Sequence, residues 1–250
     1  INDIQSRYAT AHDHLQQACA AWQKIDNTRT LSNSLNSIGL VCYHQGDLPA
    51  AQQAMEQALT LCNRLDNRHL QALLLNNLSI VSTEQGDYMG AQYYLRLGLE
   101  LATTSGNSTA QGNIYNNLGR NYRLLGETDL AVQSLERGLQ IAERIGERTL
   151  MAEAMLNLAD ATRAQGAHKR AEGLYNHALS VAQQDNLQHL ECAILIGIAE
   201  LLHEADEREA RQYSTKAVRL AKTIQNPGLL ERATAIDSYL SVSTRTNKTL

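Results

Sequence analysis

The chain has no phenylalanine, only two prolines among its 250 residues, four scattered cysteines and no surplus of positive charge. No run approaches the ~18 uninterrupted apolar residues that a membrane helix requires. The first residues, Ile1, Asn2, Asp3 and Ile4, do not form the basic and then apolar start of a secretory signal. A soluble, cytoplasmic protein without membrane association is therefore expected. Twenty-two Lys and Arg against 26 Asp and Glu give a formal charge of −4, which offers no electrostatic footing for a nucleic acid backbone. Cys19, Cys42, Cys62 and Cys192 show no CxxC spacing, so they read as buried reduced thiols rather than metal or redox ligands. Hydrophobic residues at 43% and charged residues at 19% lie near ordinary globular values and far from a disordered composition. A compact chain of this length could bury roughly 70–75% of its unfolded surface.

What the sequence does contain is a repeat. Gly46-Asp47 recurs as Gly86-Asp87, Gly126-Glu127 and Gly166-Ala167, each 40 residues after the last. The same interval links Ala51, Ala91, Ala131 and Ala171; Ala58, Gly98, Gly138 and Ala178; Gly39, Ser79, Gly119 and Ala159; and Ile38, Leu78, Leu118 and Leu158. Several columns locked to one period signal a repeat architecture.

Each unit reads as two helices. Leu35, Ile38 and Cys42 lie at i, i+3, i+7, as do Leu75, Leu78 and Ser82, giving the first helix one packing stripe. The second carries Ala51, Met55, Ala58, Leu59, Cys62 and Leu65, with small residues where helices come close. Between them Gly46 supplies the left-handed residue that ends one helix, and Asp47 caps the exposed amides of the next. No strand-like alternation competes. The predicted fold is all-α, a solenoid in which each hairpin packs mainly on its neighbours and the first helices line a concave groove.

These columns resemble the tetratricopeptide repeat, with Gly39 at its small position, Gly46-Asp47 at its turn and Ala51 and Ala58 at its two alanine positions. The resemblance extends over about residues 5–240 and implies a right-handed superhelix. It departs from the usual form in length, 40 rather than 34, because the second helix runs on to about Asp66 and no proline closes each unit. The longer form is similar to the repeats of maltose-regulator-type transcription activators, kinesin light chains and the Leu-Gly-Asn repeat scaffold, families whose repeats bind something. The organisation expected is a single solenoid over 1–240. It comprises a partial repeat at 5–27, full repeats at 30–67, 70–107, 110–147, 150–187 and 190–225, and a capping helix at 228–240 opened by Asn226-Pro227. Residues 241–250 are polar and read as a tail or linker. In the partial repeat Ala11, Ala18, Trp22 and Ile25 fall 40 before Ala51, Ala58, Cys62 and Leu65. The missing first helix and the start at isoleucine suggest a piece of a longer protein. In the fifth repeat Ala210 sits 39 after Ala171, one residue short.

Catalysis needs a convergent set of groups, and none has a recognisable spacing. His203-Glu204 begins like a zinc-protease helix, but Glu207 stands where the second histidine belongs. The remaining histidines are dispersed. No enzyme activity, metal or cofactor is expected.

The groove is read from first-helix residues one position after the packing stripe: Asn36, Leu40 and Tyr43; Asn76, Ile80 and Thr83; Asn116, Arg120 and Arg123; Leu156, Asp160 and Arg163. Asn36, Asn76 and Asn116 form one column, and Asn77, Asn117 and Asn157 another one position later. Asparagine inside a helix costs a few tenths of a kcal/mol, so its repetition calls for a compensating role. Its amide donates and accepts together, which suits a peptide unit. With first helices roughly 8–10 Å apart and an extended chain rising about 3.3 Å per residue, one asparagine would meet about every third peptide unit. Resemblance to kinesin light chains implies such a ladder for Asn36, Asn76 and Asn116. The competing reading is that one asparagine column bonds across adjacent repeats or satisfies backbone groups where helices cross. Arg120, Arg123 and Arg163 would add a positive patch for an acidic side chain or carboxylate terminus, unless Asp160 neutralises it, and Tyr43 and His44 a stacking wall. The expected role is a non-catalytic scaffold that holds a protein or peptide segment. Two alternatives stand beside it: the sensor or regulatory part of a larger signalling or transcription protein, and a module that self-associates end to end as a homo-oligomer.

Overall fold

The computed structural model describes residues 2–24, 27–65, 67–203 and 205–246. Ile25, Asp66, Glu204 and the last four residues of the expected tail, 247–250, lie outside them. The described residues are helical with no strand: an all-α solenoid of helical hairpins. By contacts the chain divides into two compact units, Ile1–Gly126 and Glu127–Leu250.

The first unit holds α1 (Asn2–Lys24), α2 (Thr28–Gln45), α3 (Leu48–Cys62, followed by the 3₁₀ turn Asn63–Leu65), α4 (Arg68–Glu84), α5 (Tyr88–Thr104) and α6 (Ser108–Leu124). α2 pairs with α3 and α4 with α5; α1 packs on α2, and α6 on α4 and α5. The second unit holds α7 (Thr128–Ile145), α8 (Arg148–Ala164), α9 (His168–Gln184), α10 (Gln188–Leu202), α11 (Glu207–Thr223) and α12 (Pro227–Thr246). Here α8 pairs with α9 and α10 with α11; α7 packs on α8, and α12 on α10 and α11. α12 continues through residues 241–246, beyond the end at 240 suggested by the polar composition.

The turns follow from the residues at them. Gly46 takes φ +82°, a conformation glycine adopts without a side-chain clash, and its N–H bonds back into α2. Asp47 then accepts from the Ala50 amide at 3.1 Å and Asp87 from Gly90 at 2.9 Å. Where the column changes to Glu127 and Ala167 the side-chain cap is lost. A second capping column lies at the other turns: Asn27, Asn67 and Asn107 accept from Thr30, Leu70 and Ala110 at 3.0–3.2 Å. Asn226 resumes this role for α12, accepting from Leu229 at 3.0 Å. In the shortened fifth repeat, α10 stops at Leu202 and Asp206 caps α11.

The packing stripes are buried as their period requires. Ile38, Cys42, Ala51, Met55, Leu78 and Val81 form one core of the first unit, with Trp22 half-buried against it. The small columns permit the approach: a Cβ on Gly39 would fall 2.6 Å from Met55 Cγ and 3.1 Å from the Ala51 carbonyl. In the second unit Met155, Ala159, Ala171, Tyr175, Ile194 and Ile198 form a core. All four cysteines are buried free thiols, and burial raises the pKa of each.

Candidate functional site

In the first unit the candidate face is built by α2, α4 and α6. The structure joins the two asparagine columns to each other. Asn77 Nδ2 donates to Asn36 Oδ1 at 3.0 Å, and Asn117 Nδ2 to Asn76 Oδ1 at 2.9 Å, so each bond ties one first helix to the next. Asn36 and Asn77 are both 8% exposed, while Asn76 and Asn117 are half-buried. The cost of a mid-helix asparagine is thus offset within the protein, by a buried bond whose loss would leave an unsatisfied amide. Asn36 accordingly is no free rung: its oxygen is already held by the following repeat. One bond uses one donor hydrogen and one lone pair; at the half-buried Asn76–Asn117 pair the rest of each amide's capacity remains for another partner. Asn116 is buried and Asn157 half-buried, and both are engaged in interactions of their own.

Beside this pair lie Leu40, 37% exposed, and half-buried Ile80. Half-buried Thr83 spends its hydroxyl on the Ser79 carbonyl at 2.8 Å. Tyr43 is half-buried and meets exposed His44 edge-on at 5.3 Å, and His44 stacks on Tyr8 of α1 at 5.9 Å. Burial raises the Tyr43 pKa, and the Glu84 charge raises it further.

The positive patch departs from expectation. Arg120 pairs with Glu84 at 2.6 Å, with both side chains over a third exposed, so this guanidinium arrives with its own counter-charge. Such a pair contributes about 0–1 kcal/mol. Arg123 is half-buried.

A further row was missed. Asn33, Leu73 and Asn113 line an open trough of about 500 Å³ with Arg29, His69 and Thr109. Leu73 is 47% exposed. The signal was present in the sequence: these residues repeat at 40 and precede Asn36, Asn76 and Asn116 by three positions, which places them on the same helix face.

In the second unit the equivalent face is charged. Arg163 binds Glu200 of α10 at 2.7 Å, and Arg232 of α12 lies 3.9 Å from the other oxygen of Glu200. Asp160 accepts from the Tyr175 hydroxyl at 2.5 Å. Tyr175 is fully buried and its ring rests where a Cβ on Gly197 would fall, 2.6 Å away. Burial first, then the Asp160 charge, drives the Tyr175 pKa well above its ordinary value. Gly197 stands 40 residues after Asn157, so the asparagine column gives way to a ring contact. His203 lies edge-on to Tyr239, which is 64% exposed. Among the described residues no group of three His, Cys, Asp or Glu is placed to hold a metal, and no helix is long and apolar enough to cross a membrane.

Helical hairpins repeated at a near-constant interval, small residues at fixed crossings and a first-helix face tied by cross-repeat amide bonds define a repeat solenoid. The tetratricopeptide repeat pattern matches residues 30–104, 70–144 and 110–184. The chain belongs to the tetratricopeptide repeat family. No curated protein sequence matches it. Among solved structures it is similar to a signal transduction ATPase with a tetratricopeptide repeat sensor from Pyrococcus horikoshii, at 18% identity and a TM-score of 0.69. That match takes in 87% of this chain and 34% of the other, so the chain spans about a third of that protein's length. A Rap protein complexed with Competence and Sporulation Factor gives 16% identity and a TM-score of 0.68, over 95% of this chain and 72% of the other. The kinesin light chain repeats of Podosopora anserina give 18% and 0.61, over 79% and 97%. At these identities the likeness is one of fold.

Proposed function

We propose that the protein is a non-catalytic binding module that holds an extended peptide segment against the first-helix face of its amino-terminal unit. The observation that carries this reading is the half-buried Asn76–Asn117 pair, set between exposed Leu40 and Leu73 and the Asn33–Asn113 trough. Apolar residues beside amides with spare donor and acceptor capacity match the needs of a peptide, which presents backbone N–H and C=O groups together with side chains. Arg123, and Arg120 once exchanged from Glu84, suit a carboxylate on the segment.

The test uses residues outside the cross-repeat bonds. Peptides selected from a random displayed library against the intact chain are expected to lose at least tenfold in affinity for Leu73→Glu and for Asn113→Ala. Selected peptides that bind both variants as tightly as the parent would place binding elsewhere and overturn the reading.

A second reading is that the module serves as the sensing or regulatory part of a larger signalling or transcription protein. It is supported by the likeness to a repeat sensor within a signal transduction ATPase and to a Rap protein complexed with a factor. A cytoplasmic location fits either reading. Self-association through the ends is the third, and a mass that rises over a concentration series would favour it.

A further inference from the structure

A different surface, in the second unit, has a distinct chemistry. α11 carries five basic and two acidic residues in a chain whose formal charge is −4. At about 100° per residue, Arg208, Arg211, Arg219 and Lys222 fall within an arc of about 80°, with Thr215 in the middle, and extend over about 21 Å of helix. All four cations are exposed, as is Lys216 at the edge of the stripe. Arg208, Lys216, Arg219 and Lys222 make no ion pair among the described residues. This contrasts with Arg120, Arg148, Arg163 and Arg170, each 2.5–2.7 Å from a carboxylate. An open trough of about 690 Å³ runs beside the stripe, and at its amino end Glu207 Oε1 is buried without a hydrogen-bond partner.

We propose that this stripe docks an acidic polypeptide segment of a partner protein, its carboxylates on Arg208, Arg219 and Lys222. The geometry disfavours other anions. The positive surface is one helix wide, about 10 Å, with Glu207 and Glu209 on either side of it, so a nucleic acid duplex, about twice as broad, would meet carboxylates at both edges. An anionic membrane is disfavoured because the exposed residues of α11 are all polar and supply nothing to insert. Only a narrow chain whose charges follow one line fits.

The experiment measures fluorescence anisotropy of labelled poly-L-glutamate, about 20 residues long to span the stripe, on the full chain at about 0.02 M and 0.15 M salt. The expected result is binding that weakens at the higher salt and falls at least tenfold in Arg208→Glu/Arg219→Glu. Lys169→Glu, which changes an exposed lysine on α9, should alter it less than twofold. If circular dichroism finds the reversal variant unfolded, Arg208→Gln/Arg219→Gln replaces it, with at least a threefold loss expected. Absence of binding at low salt, an equal loss in Lys169→Glu, or tighter binding of a 20-base-pair DNA duplex or phosphatidylserine vesicles than of polyglutamate would each overturn the proposal.

Discussion

Replacing Asn77 by alanine tests the cross-repeat bond most directly. The substitution removes the donor to Asn36 Oδ1, and Asn36 is 8% exposed, so its carbonyl loses a partner that water replaces poorly. A buried polar group left unsatisfied costs about 1–3 kcal/mol. Alanine returns roughly 0.6 kcal/mol of helix propensity relative to asparagine, so the net destabilisation should be about 0.5–2.5 kcal/mol. At the half-buried Asn76–Asn117 pair the same change at Asn117 should cost less, because water reaches the orphaned group. Equilibrium urea unfolding followed by circular dichroism gives both values. A double-mutant cycle with Asn36→Ala removes the propensity contribution, and its coupling energy should be about 1 kcal/mol. A coupling indistinguishable from zero at Asn36–Asn77 would refute the claim that these amides hold adjacent repeats together.

Further outcomes follow from other sites. Tyr175→Phe deletes the donor to Asp160 and should lower stability by about 1–3 kcal/mol; in an alkaline titration read by tyrosinate absorbance, the step it removes should be the one that coincides with unfolding. Asp47→Ala should cost about 0.5–2 kcal/mol because it breaks a helix cap, whereas Glu127→Ala, where the side chain makes no cap bond, should be nearly neutral in the same thermal melt. Burial, and then the Glu147 charge, raises the Glu153 pKa in the folded chain. The folded state therefore favours the protonated acid: its stability is intact below the unfolded value and declines as pH rises through the folded one. Glu153→Gln should raise the melting temperature at pH 7–8 and lose that advantage near pH 4.

The repeat made the fold readable, because a 40-residue interval between Gly46, Gly86, Gly126 and Gly166 fixes where helices stop, and the i, i+3, i+7 stripes fix which face packs. The candidate face was less legible. Asn36 and Asn77 sit one position apart within their repeats, about 100° around the helix, and whether the later column reaches the earlier one depends on how successive helices are rotated. No single-helix argument contains that rotation. The partners of the arginines were hidden for a related reason: Arg120 and Arg163 meet Glu84 and Glu200, which lie 36 and 37 residues away. A search for opposite charges just short of one repeat would have found both pairs. Asn33, Leu73 and Asn113 share the repeat interval but lie three positions before the asparagine column, outside the set that the packing stripe defines.

The bonds Asn77–Asn36 and Asn117–Asn76 also bear on how such a chain can lengthen. The Asn76-Asn77 pair accepts from the block after it through Asn76 and donates to the block before it through Asn77. An in-frame duplication of one 40-residue block in this region therefore brings its own acceptor and its own donor, and every amide in the enlarged array finds the same neighbour as before. In the repeat where Ala210 follows Ala171 by 39, the missing residue is taken up at the turn where α10 stops at Leu202, and Ala210 is as fully buried as Ala171; a residue lost inside a first helix would instead turn its asparagine pair about 100° out of phase.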